Sequence, residues 1–264
     1  MLIALTREVS RSIAQCELTH LSRVQIDLEL ARTQHQHYQL ALTELGCKVV
    51  SLAEQPDLPD SVFVEDVAIV LDECAVITRP GVESRRPETE AVASKLGEYR
   101  KLGSIEAPGT LDGGDVLRVD RTLYVGLSGR SNNAAVDQLR ALIAPFGYTV
   151  KAVEVSGCLH LKSAVSQVAE NTLLVNPKWV NAAEIGGADF GAMEWLEIDP
   201  AEAYAANTLL IDKSIIYPTS FPRTRQRLEQ RGIPVLAVDV SELLKAEGAV
   251  TCCSLIFKQP ATAA

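Results

Sequence analysis

The stretch Val67-Ala-Ile-Val-Leu-Asp-Glu-Cys-Ala-Val-Ile-Thr78 sets two apolar runs of strand length on either side of a polar Asp-Glu-Cys. Short, β-branched runs bounded in this way predict two strands joined by a tight turn. The same grammar returns at 116–119 and 123–125, around Asp120-Arg121-Thr122. Between such pairs the period changes to that of a helix: over 26–45, with Leu28, Tyr38 and Leu42 ahead of Gly46; over 88–102; and over 131–146, with Leu139 and Ile143 ahead of Gly147. Further strands are predicted at 48–52, 149–153, 172–175, 195–198, 208–211, 215–217 and 235–238, and a helix over 222–230 that starts on proline. Strands therefore outnumber helices by about two to one, whereas strict β-α-β alternation would give nearer one to one. The reading is an α/β fold of repeated ββαβ-like units, each of roughly 50 residues, with no internal sequence similarity that marks the repeat.

The 264 residues carry 25 Lys+Arg against 34 Asp+Glu, a net charge of −9. An acidic balance argues against nucleic acid and anionic lipid as partners, since both need a clustered basic surface. No apolar run approaches the length of a membrane span, and the N-terminus lacks the basic and apolar regions of a signal peptide, which predicts a cytoplasmic protein. The six cysteines show neither Cys-x-x-Cys spacing nor a disulfide framework and read as reduced thiols. His35-Gln-His37 is read as part of an exposed helix face rather than a zinc site. Length alone leaves one domain or two open.

Four clusters place reactive groups at the ends of apolar strands, where loops can converge on a cleft. Asp60-Ser-Val-Phe-Val-Glu-Asp66 sets three carboxylates before an apolar strand; they either cap and solvate the strand start or recognise a cation. Thr110-Leu-Asp-Gly-Gly-Asp-Val-Leu-Arg118 holds a Gly-Gly pair that either makes a turn or lets backbone and carboxylate approach a ligand. Gly157-Cys-Leu-His160 carries the only histidine beyond residue 37, either a satisfied core residue or a proton carrier. Val250-Thr-Cys252-Cys253 opens the final predicted strand, and adjacent residues alternate across a strand, so at most one of the two thiols would face a cleft. Cys252 and His160 would then form a thiol and proton-shuttle pair with a carboxylate beside them.

Taken in order, Phe63-Val-Glu-Asp66, Ile77-Thr-Arg-Pro-Gly81 with Ser84-Arg85-Arg86, Leu111-Asp-Gly-Gly-Asp115, Tyr124-Val-Gly-Leu-Ser-Gly-Arg130-Ser-Asn132, Leu159-His-Leu-Lys162, Tyr204-Ala-Ala-Asn207 and Cys252-Cys-Ser254 resemble the dimethylarginine dimethylaminohydrolase family. With a weaker match near Leu18 the resemblance covers nearly the whole chain. It implies the pentein fold, an α/β propeller of five ββαβ modules with pseudo-fivefold symmetry around a central active-site channel, in one domain over 1–258 followed by a loose tail over 259–264. It implies hydrolysis of Nω-methylated arginine to citrulline through a covalent thiouronium on Cys252, with His160 as proton donor and acceptor and Asp112 holding His160. Substrate binding is implied for Glu65 and Asp66, helped by Asp112, at the guanidinium, for Phe63, for Asp60 and the backbones of Leu18 and Ala246 at the α-amino group, and for Arg85 and Arg130 at the α-carboxylate. No cofactor is implied; zinc at Cys252 and His160 is read as an inhibitor. The partner is a small cationic amino acid, and a homodimer is compatible with the family.

Arginine deiminases and amidinotransferases, which share the fold, carry an acidic residue two positions after the catalytic histidine. Here that residue is Lys162. The alternatives are a same-fold deiminase or hydrolase for arginine or citrulline, and a non-catalytic pentein-like binding protein, against which the joint presence of Cys252, His160 and Asp112 speaks.

Overall fold

The structure is a computed structural model that describes residues 1–181, 185 and 193–259. Its strands are β1 (Leu2–Arg7), β2 (Cys47–Leu52), β3 (Ala68–Val70), β4 (Cys74–Ile77), β5 (Lys101–Ser104), β6 (Val116–Val119), β7 (Thr122–Leu127), β8 (Thr149–Glu154), β9 (Val165–Ala169), β10 (Thr172–Val175), β11 (Glu194–Glu197), β12 (Leu209–Ile211), β13 (Ser214–Pro218), β14 (Val235–Val238) and β15 (Leu255–Lys258). The helices are α1 (Leu28–Glu44), α2 (Thr89–Leu96), α3 (Asn133–Ile143), α4 (Leu161–Ala164), α5 (Pro222–Gln230) and α6 (Ser241–Leu244).

Among the described residues fifteen strands form five three-stranded sheets, ordered β15-β1-β2, β3-β4-β5, β6-β7-β8, β9-β10-β11 and β12-β13-β14. In each, the first strand runs antiparallel to the second and the third runs parallel to it. A parallel third strand needs a crossover, and α1, α2, α3 and α5 supply it in four modules. In the fourth, most of the crossover lies outside the described residues, as do residues 260–264 of the expected tail. The first module is completed by the last strand: Leu2 to Leu5 of β1 pair with Lys258 to Leu255 of β15, which brings the chain's two ends into one sheet.

The first strands of the five hairpins, β3, β6, β9, β12 and β15, together line a cavity of about 270 Å³ on the axis of the ring. Glu65, Lys162 and Thr251 also line it. The helices interlock neighbouring modules: Tyr38 and Leu42 of α1 share a buried cluster with Ile216 and Val238 of the fifth sheet, and Val92 and Leu96 of α2 share one with Ile3 and Leu5 of the first. Sheets covered in this way lose the alternation of a half-exposed strand. Five of the six residues of β1 are buried, so its sequence has no period of two to betray it.

Three local expectations are corrected. The helix expected over 88–102 stops at Leu96, and Lys101–Ser104 is the parallel third strand of its module. His35 is buried while His37 is exposed, because residues two apart on a helix point to nearly opposite sides. Cys252 and Cys253 lie on a turn ahead of β15 rather than in it. Among the described residues no helix is long and apolar enough to cross a membrane.

Candidate active site

The Gly-Gly turn organises the site. Gly113-Gly114-Asp115 forms one 3-10 turn after Asp112. A Cβ on Gly113 would lie 2.0 Å from the Glu65 carbonyl oxygen, and one on Gly114 would lie 2.5 Å from His160 Nδ1 and 2.8 Å from Asp66 Oδ1. The glycines thus permit close approach of backbone to three functional residues. The Gly114 N–H donates to Asp66 Oδ1 at 3.1 Å.

His160 sits between two carboxylates. Its Nε2 lies 3.1 Å from Asp112 Oδ2, and its Nδ1 lies 3.8 Å from Asp66 Oδ1. Asp112 is fully buried; its Oδ1 accepts the Gly81 N–H at 2.8 Å and its Oδ2 faces Arg130 Nη1 at 3.4 Å. Asp115, which the sequence offers only as part of a motif, has a positioning role. One of its oxygens accepts the hydroxyls of Ser128 and Ser131, both at 2.6 Å, and the other accepts the Leu161 N–H at 3.0 Å, fixing the chain beside His160.

Cys252 is partly buried, and its Sγ accepts the Ala249 N–H at 3.4 Å. The turn that carries it is clamped from both sides. Asn207 accepts the Thr251 N–H at 3.1 Å and donates to the Thr251 hydroxyl at 3.0 Å, and that hydroxyl donates to Glu65 Oε2 at 2.7 Å. Cys253 is buried in the apolar core, so of the two thiols Cys252 alone lines the cleft.

Eight of the expected site residues, Asp60, Phe63, Asp66, Arg85, Arg130, His160, Ala246 and Cys252, line one narrow chamber. Asp112 stands behind His160. Leu18 packs on the first apolar cluster. Glu65 points to the channel side, where its Oε1 meets Lys162 Nζ at 2.5 Å. Lys162 thereby neutralises one of the site's carboxylates. Removing one partner of a buried ion pair strands the other charge. Lys162→Met is accordingly expected to destabilise the fold by about 3 kcal/mol in urea unfolding; a loss below about 0.5 kcal/mol, the range of ordinary surface substitutions, would show that Glu65 does not need this partner.

Arg85 is held by Glu88, a residue the sequence reading did not single out although it follows at the i+3 position. The guanidinium binds Glu88 at 3.2 and 2.9 Å, and its Nη1 donates to Asp66 Oδ2 at 2.8 Å. Charges then alternate without interruption from Glu88 through Arg85, Asp66, His160 and Asp112 to Arg130, whose Nη2 donates to the Thr19 hydroxyl at 3.0 Å.

This arrangement sets the protonation states. Burial opposes a charge on His160, but Asp66, Asp112 and Asp115 outweigh it and hold the imidazolium up to about 9. Burial, reinforced by Glu65 and Asp66, pushes the Cys252 thiol up to about 12. Burial would raise Asp66, yet His160 and Arg85 bring it down to about 2. Burial pushes Glu88 up to about 7 against the pull of Arg85. Near neutral pH the site therefore holds a thiol, an imidazolium and an ionised Asp66, with Glu88 about half protonated. Ligand atoms of Asp66, Asp112 and His160 lie within 4.8 Å of one another, so these three could hold a metal ion only in exchange for the histidine's proton.

A buried thiol and an imidazolium in a chamber walled by carboxylates, at the centre of five ββαβ modules, define a pentein whose site suits a cationic ligand. A family profile described as N,N dimethylarginine dimethylhydrolase, eukaryotic, matches residues 12–184. A dimethylarginine dimethylaminohydrolase of Streptomyces coelicolor is 38% identical over 257 residues, 97% of either chain. One of Pseudomonas aeruginosa is 37% identical over 233 residues, 88% of this chain and 90% of the relative. The solved structure of the Pseudomonas aeruginosa enzyme, as a cysteine-to-serine mutant complexed with citrulline, superposes with a TM-score of 0.89 at 34% identity, covering 96% of this chain and 98% of that one. The N-terminal domain of a cyanobacterial arginine dihydrolase has the same fold, with a TM-score of 0.86 at 18% identity over 98% of this chain and 99% of that one. The chain belongs to the dimethylarginine dimethylaminohydrolase family.

Proposed function

We propose the following division of labour for the hydrolysis of Nω-methylated arginine to citrulline, the reaction of this family. Arg130 and Arg85 take the substrate's α-carboxylate, with Glu88 holding Arg85 in place. Asp60 and the backbones of Ala246 and Leu18 take its α-amino group. Phe63 and Asp66 flank the guanidinium, and Glu65 acts from behind through Thr251. The bound cation lowers the cost of a negative charge on sulfur, so that Cys252 releases its proton to solvent and attacks the guanidinium carbon. A C–S bond forms; the C–N bond to the methylated nitrogen breaks as His160 gives that nitrogen its proton, and methylamine or dimethylamine leaves. The now neutral His160 takes a proton from water, whose oxygen attacks the thiouronium carbon; the C–S bond then breaks as the new hydroxyl's proton passes to the departing sulfur, releasing citrulline and restoring the thiol. Asp112 holds the imidazole throughout.

The observation that carries this reading is His160 bracketed by Asp112 and Asp66 in the chamber that Cys252 lines. Lys162 supports the preference for a methylated substrate, since it stands where the arginine-specific relatives are expected to place an acid for the unsubstituted guanidinium. Incubation with dimethylarginine, monomethylarginine, arginine and citrulline tests it. Citrulline is expected from the first two, and formation from arginine at an equal or greater rate would overturn the methyl preference. We further place this activity in a single domain over 1–258, without a cofactor, in the cytoplasm, with zinc inhibiting at Cys252 and His160 and a homodimer as the assembly to look for by size-exclusion chromatography.

A pH profile follows. The free enzyme's thiol and imidazolium lose their first proton near 9, and attack needs a pair that has lost one proton in total. Because kcat/KM reports the free enzyme, it is expected to rise about tenfold per pH unit above neutrality and to bend near pH 9. A flat profile between pH 7 and 9 would mean that the pair is already a thiolate and imidazolium at rest.

A further inference from the structure

The chamber retains only about 10 Å³ of free volume, about what one water needs and far less than an amino acid requires. Substrate therefore enters only when part of the wall moves. On the outer side of Cys252 lies a second, largely apolar cavity of about 250 Å³, whose wall includes His20, Leu21, Tyr204 and Phe221. Four residues line both spaces: Leu159, Glu247, Gly248 and Cys252. Of these Glu247 alone carries a charge, and its carboxylate is turned onto the segment that follows Glu17 of the chamber wall and meets Arg130 through Thr19. The N–H groups of Thr19, His20 and Leu21 all donate to it, at 3.0, 2.6 and 2.5 Å.

We propose that Glu247 is the latch of the lid, a positioning residue that holds residues 18–21 shut over the chamber and so sets how tightly the substrate's amino-acid end is bound. The inference rests on the function proposed above and goes beyond it by assigning the closing contact. Three successive N–H groups converging on one carboxylate form a charge-assisted cluster that no neutral side chain reproduces. The latch joins the two backbone segments expected to meet the α-amino group, since Glu247 follows Ala246 directly and Thr19 follows Leu18. Its own side of the joint is rigid. Gly248 packs so closely on Phe63 that a Cβ there would lie 2.1 Å from the ring, and Glu247 holds a left-handed backbone, φ +58°, that aims its side chain at the lid. The lid's other holds are weaker or farther along: Glu17 N–H on Asp60 at 3.1 Å, Ser84 on the Glu17 side chain at 2.6 Å, and Thr19 on Arg130 at 3.0 Å.

The test is Glu247→Gln, which keeps shape and removes charge. Two readouts are used: steady-state kinetics with dimethylarginine, and the rate of tryptic cleavage after Arg23, which is exposed at the end of the lid and is anchored to the carbonyls of Ala14 and Cys16. KM is expected to rise about tenfold with kcat within about twofold, because a charge-assisted bond is lost where the lid closes and none is lost at the reacting atoms. Cleavage without substrate is expected to accelerate severalfold at an unchanged melting temperature. An unchanged cleavage rate, or a fall in kcat at unchanged KM, overturns the proposal. Cleavage is read without turnover, so it judges the latch even if the substrate assignment is wrong.

Discussion

Cys252→Ser is expected to lower citrulline formation from dimethylarginine by at least about 10⁴-fold, the scale seen when an essential nucleophile is removed from a catalytic unit. The reason lies in the electrostatics of the turn. Burial and the carboxylates of Glu65 and Asp66 already push the Cys252 thiol up to about 12. A hydroxyl starts several units above a thiol, so the same surroundings leave serine with no useful population of the anion, even beside a bound cation. The packing cost is small, because Sγ makes only weak contacts, accepting the Ala249 N–H at 3.4 Å and meeting the Thr251 hydroxyl at 3.9 Å. The variant should fold, bind citrulline and fail to turn over. Calorimetric titration with citrulline together with an assay for released dimethylamine checks both halves. Residual turnover above about 1% of wild type would mean that the nucleophile is not this sulfur. The Pseudomonas aeruginosa relative has been captured with citrulline as a cysteine-to-serine mutant, the state this variant is expected to mimic.

The ring of modules was legible wherever a hairpin carried its own turn, as at Val67 to Thr78. It was hidden where both faces of a strand are covered, as in β1, or where a strand is short and follows a helix closely, as in β5. The candidate reacting groups came out of the sequence through the ordered motifs of the family resemblance; His160 is the one histidine beyond residue 37, but Cys252 is one of six cysteines, and that it rather than Cys253 faces the chamber shows only in the fold. Their supports were not legible, because support is a matter of distance across modules. Glu88 reads as an ordinary helix-start acid until Arg85 is seen folded onto it, and Thr251 and Asn207 are 44 residues apart in sequence yet share two hydrogen bonds. Glu247, near the end of a charged stretch, shows its role only once residues 19–21 of the lid, 226 to 228 residues away in sequence, lie within bonding distance in space. The departure at Lys162 was visible as a residue type; that it pairs with Glu65 was not.

His160→Gly separates the two halves of the reaction, and the expected result depends on the leaving group. With dimethylarginine the variant is expected to lose about 10³- to 10⁴-fold in kcat, because the displaced amine is a strong base and must be protonated as the C–N bond breaks. With S-methyl-L-thiocitrulline the departing group is a thiolate, which leaves without a proton. Attack by Cys252 should then still form the thiouronium, while its hydrolysis, which needs a base for water, should stall. Removing His160 also removes the cation beside Asp66, so the carboxylate that already raises the Cys252 thiol is left less compensated and attack itself slows. The adduct is therefore expected to build up slowly but persist, visible as a stable mass increase on Cys252 by intact-protein mass spectrometry. A histidine-to-glycine variant of a family member has been solved as an adduct with that compound, so the trapped species is sterically possible in this fold. Turnover of the thiocitrulline at the wild-type rate would show that another group serves as base.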